Sequence, residues 1–119
     1  MDVRLKRVYE APEDSDGLRI LIDRIWPRGL TKQAAAIDLW LKDIAPTTEL
    51  RKWFNHNPAK WSQFQTRYTA ELESNPEAVQ QLTSLLNQSI TTLIYGAKDE
   101  QHNHAVVLAG YLKQQTLKQ

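Results

Sequence analysis

The sequence predicts a small α/β domain with about four mostly parallel strands flanked by helices and a helical middle segment. Three observations predict this class: strand patterns near the N-terminus, helical spacing through the middle, and a last apolar strand followed by a helix. A strand followed by a helix is typical of layered folds, in which helices cover a parallel sheet. The 119 residues suit one compact domain spanning residues 1–119.

The first two predicted strands lie near the N-terminus. Residues 3–8 alternate apolar and basic side chains, which is the period of a half-buried strand. Residues 10–17, EAPEDSDG, have the composition of a loop. Residues 18–26 are more apolar and β-branched, which indicates a central strand that ends at Pro27 and Gly29.

The next elements run from a short turn into three helices. Thr31 is the predicted N-cap of a helical turn. Residues 37–44 fit both a strand and a helix, with a third strand favoured. The dipeptides at 57–58 and 75–76, each Asn-Pro, are typical helix starts. The helical apolar stripes are Leu50, Trp53 and Phe54; Trp61, Phe64, Tyr68 and Leu72; and Val79, Leu82, Leu85 and Leu86.

The C-terminal part predicts one more strand and one more helix. Residues 91–95, TTLIY, form a short apolar strand that Gly96 closes. The face of the last helix carries Ala105, Leu108, Ala109 and Leu112.

Composition excludes several classes of protein. Cysteine is absent, which excludes disulfides, thiolate catalysis and Cys-based zinc sites. No apolar run approaches the roughly 20 residues of a membrane span, and the N-terminus lacks a signal-peptide stretch, so a cytoplasmic protein without membrane association is expected. The net charge of +1 gives no support to tight nucleic-acid binding, which needs many phosphate contacts. A local anion site needs only a few donors and fits this balance.

The segment LIDRIWPRG, residues 21–29, is the first candidate site. Two arginines, Arg24 and Arg28, lie where an apolar strand ends, with Trp26 between them. The structural interpretation, favoured for either arginine alone, pairs it with an acid such as Asp23, Asp38 or Asp99. The functional interpretation has both guanidinium groups converge on a phosphate or carboxylate, with Trp26 as a stacking wall.

The chain that follows the last predicted strand is the second candidate site. Tyr95 ends that strand, Lys98 and Asp99 follow it, and Asn103 and His104 stand near the start of the last helix. A helix N-terminus offers unpaired N–H groups and favours anions. Ligands of α/β folds gather outside the carboxyl ends of the strands, so both segments are predicted to share one polar pocket.

Phosphate-loop and metal signatures are missing. The glycine spacing of a Walker loop or a Rossmann fingerprint does not occur. His102 and His104, two residues apart on a helix, would point in different directions, and His56 lies far from both in sequence. No metal and no cofactor are therefore expected.

Three segments of the chain closely resemble the bacterial YeaO-like proteins, a domain-of-unknown-function family. They are RVYEAPEDSDGLRILIDRIWPRG, LWLKDIAPTTELRKWFNHNPAKWSQFQTRYTAEL and TTLIYGAKDEQHNHAVVLAGYL, so the resemblance spans nearly the whole chain. It implies a small cytoplasmic α/β protein without an established reaction. The family's patterns map onto Asp23, Arg24, Trp26, Pro27, Arg28 and Gly29, and onto Tyr95, Ala97, Lys98, Asp99 and Asn103.

This sequence departs from longer members of the wider family at the second candidate site. Those relatives carry a cysteine at the position of Tyr95 and a Cys-His-Arg run at positions 102–104. Chemistry that depends on that thiol is not open to this chain, while the pocket itself is unaffected.

Two function hypotheses follow. The first is a binding module for a small phosphate- or carboxylate-bearing ligand, with a nucleotide or a short nucleic-acid segment among the candidates. The second is a small hydrolase or transferase in which Tyr95, Asp99 or His104 is the acid or base and Arg24 and Arg28 stabilise negative charge. The first is preferred because the sequence reveals no nucleophile, base and orienting group that act together. The oligomeric state is left open.

Overall fold

A computed structural model describes residues 3–117, which form a layered α/β domain. The strands are β1 (Arg4–Arg7), β2 (Leu18–Leu21), β3 (Leu39–Trp40) and β4 (Thr91–Tyr95). The helices are α1 (Lys32–Ala35), α2 (Thr48–Phe54), α3 (Trp61–Glu73), α4 (Pro76–Gln88) and α5 (His104–Leu117). The strands form one sheet in the order β1-β4-β2-β3, and every neighbouring pair is parallel. The predicted fold class is confirmed.

Alternation along the two central strands divides the core between the faces of the sheet. Ile20, Ile22 and Leu93 belong to a large cluster with side chains of α2, α3, α4 and α5. Leu21 and Ile94 point the other way and pack in a smaller cluster that includes Ala35 of α1. The helical stripes predicted for the middle of the chain therefore cover one face, and α1 with its flanking loops covers the other.

Two of the three predicted caps form: Thr31 caps α1, and Asn57 caps a 3-10 turn at Pro58–Lys60 that precedes α3. The Thr31 hydroxyl accepts a hydrogen bond from the Ala34 N–H, and Asn57 Oδ1 accepts one from Ala59 N–H. Asn75 precedes a proline at the first turn of α4 as predicted, but its side chain does not cap the helix. Instead its amide donates to the Asp43 carbonyl at 2.9 Å, which ties the start of α4 to the 3-10 turn at Lys42–Ile44.

The second strand ends earlier than the sequence predicts. Its ladder stops at Leu21, although Ile22 N–H still bonds to the Ile94 carbonyl. A strand that continued to Trp26 would place that residue on the same face as Ile20 and Ile22, but Trp26 packs against the cluster on the opposite face. The ambiguous residues 37–44 adopt both conformations, with two strand residues in β3 and a 3-10 turn at Lys42–Ile44.

Charged residues at the amino end of β2 form a paired group, called here the amino-end ion cluster: Lys6, Glu13, Asp16 and Arg19. Arg19 Nη1 lies 2.6 Å from Asp16 Oδ2, and both side chains are buried. Lys6 Nζ lies 2.7 Å from Glu13 and 3.1 Å from Asp16. Arg19 also donates to the carbonyls of Ala35 and Ala36, which fixes the end of α1 to β2.

Within residues 3–117, no helix has both the length and the apolar character needed to cross a membrane.

Candidate ligand-binding site

A cavity of about 720 Å³ opens at the carboxyl ends of β2 and β4. Residues 23–28 after β2 form one wall, and residues 96–99 after β4 form the facing wall together with the start of α5. Residues 45–46 and side chains of α2 and α3 complete it. The two candidate segments border one cavity because β2 and β4 are parallel neighbours, so both strands end at the same edge.

Asp23, which borders this cavity, connects the loop after β2 with the loop after β4 and with the start of α5. Gly96 N–H donates to Asp23 Oδ2 at 2.9 Å, and a Cβ at position 96 would lie only 2.8 Å from that oxygen. His104 Nε2 lies 2.9 Å from Asp23 Oδ1 and 3.1 Å from the Ile22 carbonyl. The contact with Oδ1 is short but lacks the geometry of a hydrogen bond. Oδ1 is therefore buried without a hydrogen-bond partner among residues 3–117.

The oxygen atoms around His104 indicate which of its ring nitrogens carries the hydrogen. Because Nε2 faces two oxygen acceptors, that nitrogen carries the hydrogen in the neutral ring. Nδ1 is then an acceptor, and none of the described residues donates to it. The ring also packs edge-on against buried Tyr68, with centroids 6.5 Å apart.

Arg24 holds the loop after β2 against the segment that precedes α2. Its Nε donates to the Pro46 carbonyl at 2.9 Å and its Nη2 to the Ala45 carbonyl at 3.0 Å. Its partners are thus backbone carbonyls, and the expected pairing with an acid is wrong for this arginine. Arg24 borders the cavity, and its Nη1 makes no hydrogen bond to another residue in the range 3–117.

Three further cations border the cavity at exposed positions and form what we call the cationic mouth: Arg28, Arg51 and Lys98. Arg28 comes from the loop after β2, Arg51 from α2 and Lys98 from the loop after β4. Within the part of the chain that the structure describes, the side chains of these three residues make no hydrogen bond and no ion pair. The expected pairing with an acid is therefore wrong for Arg28 too.

Trp26 borders the cavity but is held by the protein. Its Nε1–H donates to the Leu30 carbonyl at 2.8 Å, and its ring meets Trp40 edge-on at 5.5 Å between centroids. Trp40 in turn donates to the Asp23 carbonyl. Trp26 is therefore a fixed wall of the cavity.

Asp99 and Asn103 shape the chain that leads into α5. Asp99 Oδ1 accepts hydrogen bonds from the N–H groups of Gln101 and His102, and Oδ2 lies 2.9 Å from His102 Nδ1. The two backbone N–H donors are the main reason why the pKa of Asp99 lies below its usual range. Asn103 is buried, accepts from Val106 N–H and donates to the Asp99 carbonyl, so it caps α5.

Tyr95 is the one predicted site residue that does not border the cavity. It is buried in the large core cluster, and burial is the main reason why its pKa is raised. Residues outside the two predicted segments also border the cavity: Tyr9 near the N-terminus, and Pro46, Arg51, Phe54, His56 and Phe64 from the middle of the chain. The positive φ of 54° at His56, after 45° at Asn55, turns the chain at the end of α2.

The chemistry open to this cavity is limited. The bordering residues include no serine, threonine or cysteine, so the usual hydroxyl and thiol nucleophiles are missing from this part of the structure. No group of three or more metal-binding side chains lies together among residues 3–117. His104 Nε2 is directed at the Ile22 carbonyl, which leaves its Nδ1 as an acceptor without a donor among residues 3–117.

Fold and site together define a small α/β domain with a cation-lined cavity at the carboxyl ends of its parallel strands. Comparison with known proteins then identifies the family. The chain belongs to the YeaO-like domain-of-unknown-function family, because residues 2–119 match the family model described as the inactive DUF488-N3 subclade.

The relatives share nearly the full length of the chain. Uncharacterized protein YeaO of Escherichia coli is 43% identical over 113 residues, which cover 95% of this chain and 98% of that protein. Uncharacterized protein Rv3073c of Mycobacterium tuberculosis is 40% identical over 110 residues, which cover 92% of each chain. Uncharacterized protein Mb3100c of Mycobacterium bovis has the same identity and coverage. No solved structure matches.

Proposed function

We propose that this protein binds a small phosphate- or carboxylate-bearing ligand, with nucleotides among the candidates, in the cavity at the ends of β2 and β4. The observation that carries the proposal is the cationic mouth: Arg28, Arg51 and Lys98 border one cavity, and none of the residues 3–117 pairs with their side chains. Like charges gathered around one concave site repel one another, and a bound anion would offset that repulsion.

The charge balance around the cavity supports an anionic ligand. Four cationic side chains border it, against two carboxylates, Asp23 and Asp99. Both carboxylates already interact with groups of the protein, Asp23 with Gly96 and His104, and Asp99 with the turn before α5. The remaining positive charge belongs to groups that form strong hydrogen bonds to phosphate and carboxylate oxygens.

A second candidate function is a small hydrolase or transferase, and one observation favours it. His104 borders the cavity and is oriented by Asp23 and the Ile22 carbonyl, as a general base often is. Three observations count against it: Tyr95 lies outside the cavity, Asp99 is occupied in its turn, and the subclade is described as inactive. Binding is therefore the preferred function.

A thermal-shift screen against phosphates, nucleotides and carboxylates tests the proposal. A ligand present at one hundred times its Kd should add about 2.7 kcal/mol to the free energy of unfolding. The variant Arg51→Gln should lose most of that stabilisation. Lys52→Gln, a matched charge change on the same helix but not at the cavity, should keep it.

Two outcomes would decide against binding. Equal loss in both variants would mean that net charge rather than the site holds the ligand. Turnover of a phosphoester by the purified protein, abolished in His104→Gln, would favour the enzyme instead.

A further inference from the structure

The solvent exposure of each bordering residue indicates how a ligand is oriented. Buried residues that still border the cavity form its base, and these are Pro27, Ala45, Pro46, Phe54 and Phe64, together with Asn103. The exposed bordering residues form its mouth. The base is therefore almost entirely apolar, whereas the free cations are all at the mouth.

Two aromatic rings, Phe54 and Phe64, belong to this base. Phe54 and Phe64 are stacked with centroids 4.2 Å apart and planes 17° from parallel. Phe64 continues the stack to Tyr68, which contacts His104. A stack of this kind is a rigid apolar surface that favours a flat apolar group over a hydrated ion.

The charged side chains that border the cavity support the same orientation of the ligand. The half-buried Asp23 and Arg24 are adjacent and carry opposite charges, so together they add no net charge. Arg24 in addition already donates to two carbonyls. The mouth carries Arg28, Arg51 and Lys98, whereas Asp99 borders the cavity at a half-buried position. An anion is thus favoured at the mouth and disfavoured next to Asp23.

Exposed apolar side chains also concentrate at this mouth. Among the described residues, the exposed large hydrophobic side chains are Tyr9, Ile25 and Ile90, and the first two border the cavity. Tyr9 is held in place, because its hydroxyl donates to the Arg28 carbonyl and Arg7 stacks on its ring. Apolar surface beside a concave site is typical of contact with a ligand body.

We infer that the ligand is an amphipathic anion with a flat apolar body that lies at the base beside Phe54 and Phe64, while its phosphate or carboxylate stays at the mouth with Arg28, Arg51 and Lys98. This inference rests on the proposed function and adds the ligand class and its orientation. A cavity of about 720 Å³ has room for such a body, since ligand cavities commonly span roughly 300–1,000 Å³.

A titration series with fixed ionic strength tests the ligand class. The probes are orthophosphate, methyl phosphate and 1-naphthyl phosphate, and 1-naphthoate distinguishes carboxylate from phosphate. The affinity should rise at least tenfold from methyl phosphate to 1-naphthyl phosphate. Equal affinities for orthophosphate and 1-naphthyl phosphate would overturn this inference but leave anion binding intact, whereas no binding of any probe would overturn both.

Two variants separate the base from the mouth. Ala97→Leu adds volume to the wall after β4, and it should remove most of the preference for 1-naphthyl phosphate over methyl phosphate. Ala34→Leu, the same change at an exposed position outside the cavity, is the control. The double variant Arg28→Gln, Arg51→Gln should lower the affinity for 1-naphthyl phosphate at least tenfold and should reduce the salt dependence of binding.

Nuclear Overhauser contacts give the orientation directly. Protons of the naphthyl ring should contact the rings of Phe54 and Phe64 in the complex. Contacts with Arg28 and Tyr9 alone, or binding unaffected by the double arginine variant, would overturn the orientation.

Discussion

The two ends of β2 use the same residue types in opposite ways. At the amino end, each of the three side-chain nitrogens of Arg19 donates a hydrogen bond within the protein, to Asp16 and to two carbonyls. At the carboxyl end, Arg28 makes no side-chain contact of this kind with any described residue. An arginine near a strand end is therefore not informative by itself. What distinguishes scaffold from candidate site is whether the fold supplies acceptors for the guanidinium group.

Arg24 lies between these extremes and clarifies the comparison. It borders the cavity as a site residue would, yet two of its nitrogens hold the carbonyls of Ala45 and Pro46 as a structural residue does. We expect the effect of replacing each arginine on the free energy of unfolding to fall from Arg19 through Arg24 to Arg28.

The largest loss of stability is expected for Arg19→Ala. The change removes one of the three donors of the buried Asp16 carboxylate and the side-chain donors of two carbonyls, and breaking a buried pair from one side costs about 3–5 kcal/mol. Urea denaturation measures the loss. Ligand affinity, measured on the folded fraction, should not change. A loss below about 1 kcal/mol, typical of exposed ion pairs, would contradict the interpretation of this end as scaffold.

Arg24→Ala should cost about 2–3 kcal/mol, because two charge-assisted hydrogen bonds are lost at a half-buried position. Urea denaturation again gives the change. Arg24→Lys should recover only part of the loss, since an ammonium group cannot hold both carbonyls in a fixed fork. Full recovery in the lysine variant would mean that charge alone matters at this position.

Acid should weaken the amino end in a predictable pH range. Burial raises the pKa of Asp16, but hydrogen bonds from Glu13 N–H, Lys6 and Arg19 outweigh that effect and hold the pKa below its usual range. Because the pKa is lower in the folded state, the stability it contributes is complete above the unfolded value of about 3.9 and is lost as the pH falls through the folded value.

Urea unfolding between about pH 5 and pH 2 tests this linkage. The slope of stability against pH should be smaller in Asp16→Asn than in the parent protein. Asp14→Asn is the control, since Asp14 is an exposed neighbour whose carboxylate contacts no donor among residues 3–117. Equal slopes in the parent and in Asp16→Asn would rule out Asp16 as a source of the acid sensitivity.

The smallest change in stability is expected for Arg28→Ala, within about 0.5 kcal/mol, because the side chain is exposed. The same variant should lose most of the stabilisation by 1-naphthyl phosphate, and Arg28→Lys should not restore it. Melting curves with and without the probe provide both values. A large loss of stability without the probe would make Arg28 a structural residue and end the contrast with Arg19.

The fold could be predicted because its signals are local. Alternation in residues 3–8, the apolar run after residue 18 and the strand-helix order at the C-terminus each depend on neighbouring residues. The place where β2 ends could not be predicted, because nothing in the apolar character of Ile25 and Trp26 indicates that the ladder stops at Leu21. Trp26 leaves the strand and packs on Trp40, which is a contact between segments distant in sequence.

The candidate site was predictable only where strand ends define it. Lys98, Asn103 and His104 border the cavity because they follow β4, as the general rule for parallel sheets predicts. Arg51 and His56 were not predicted, because the approach of α2 to the strand ends leaves no local pattern. Tyr95 was wrongly expected in the pocket, since the last strand residue still alternates and points into the core.

The position of β4 has a consequence for how the chain folds. The strand lies between β1 and β2, which do not pair with each other, although it is the last strand to be synthesised. The complete sheet therefore cannot form until residue 95 is available. Pairing between strands that are distant in sequence slows folding. We expect nascent chains that end before residue 91 to remain sensitive to protease on the ribosome, and early protection would contradict this order of assembly.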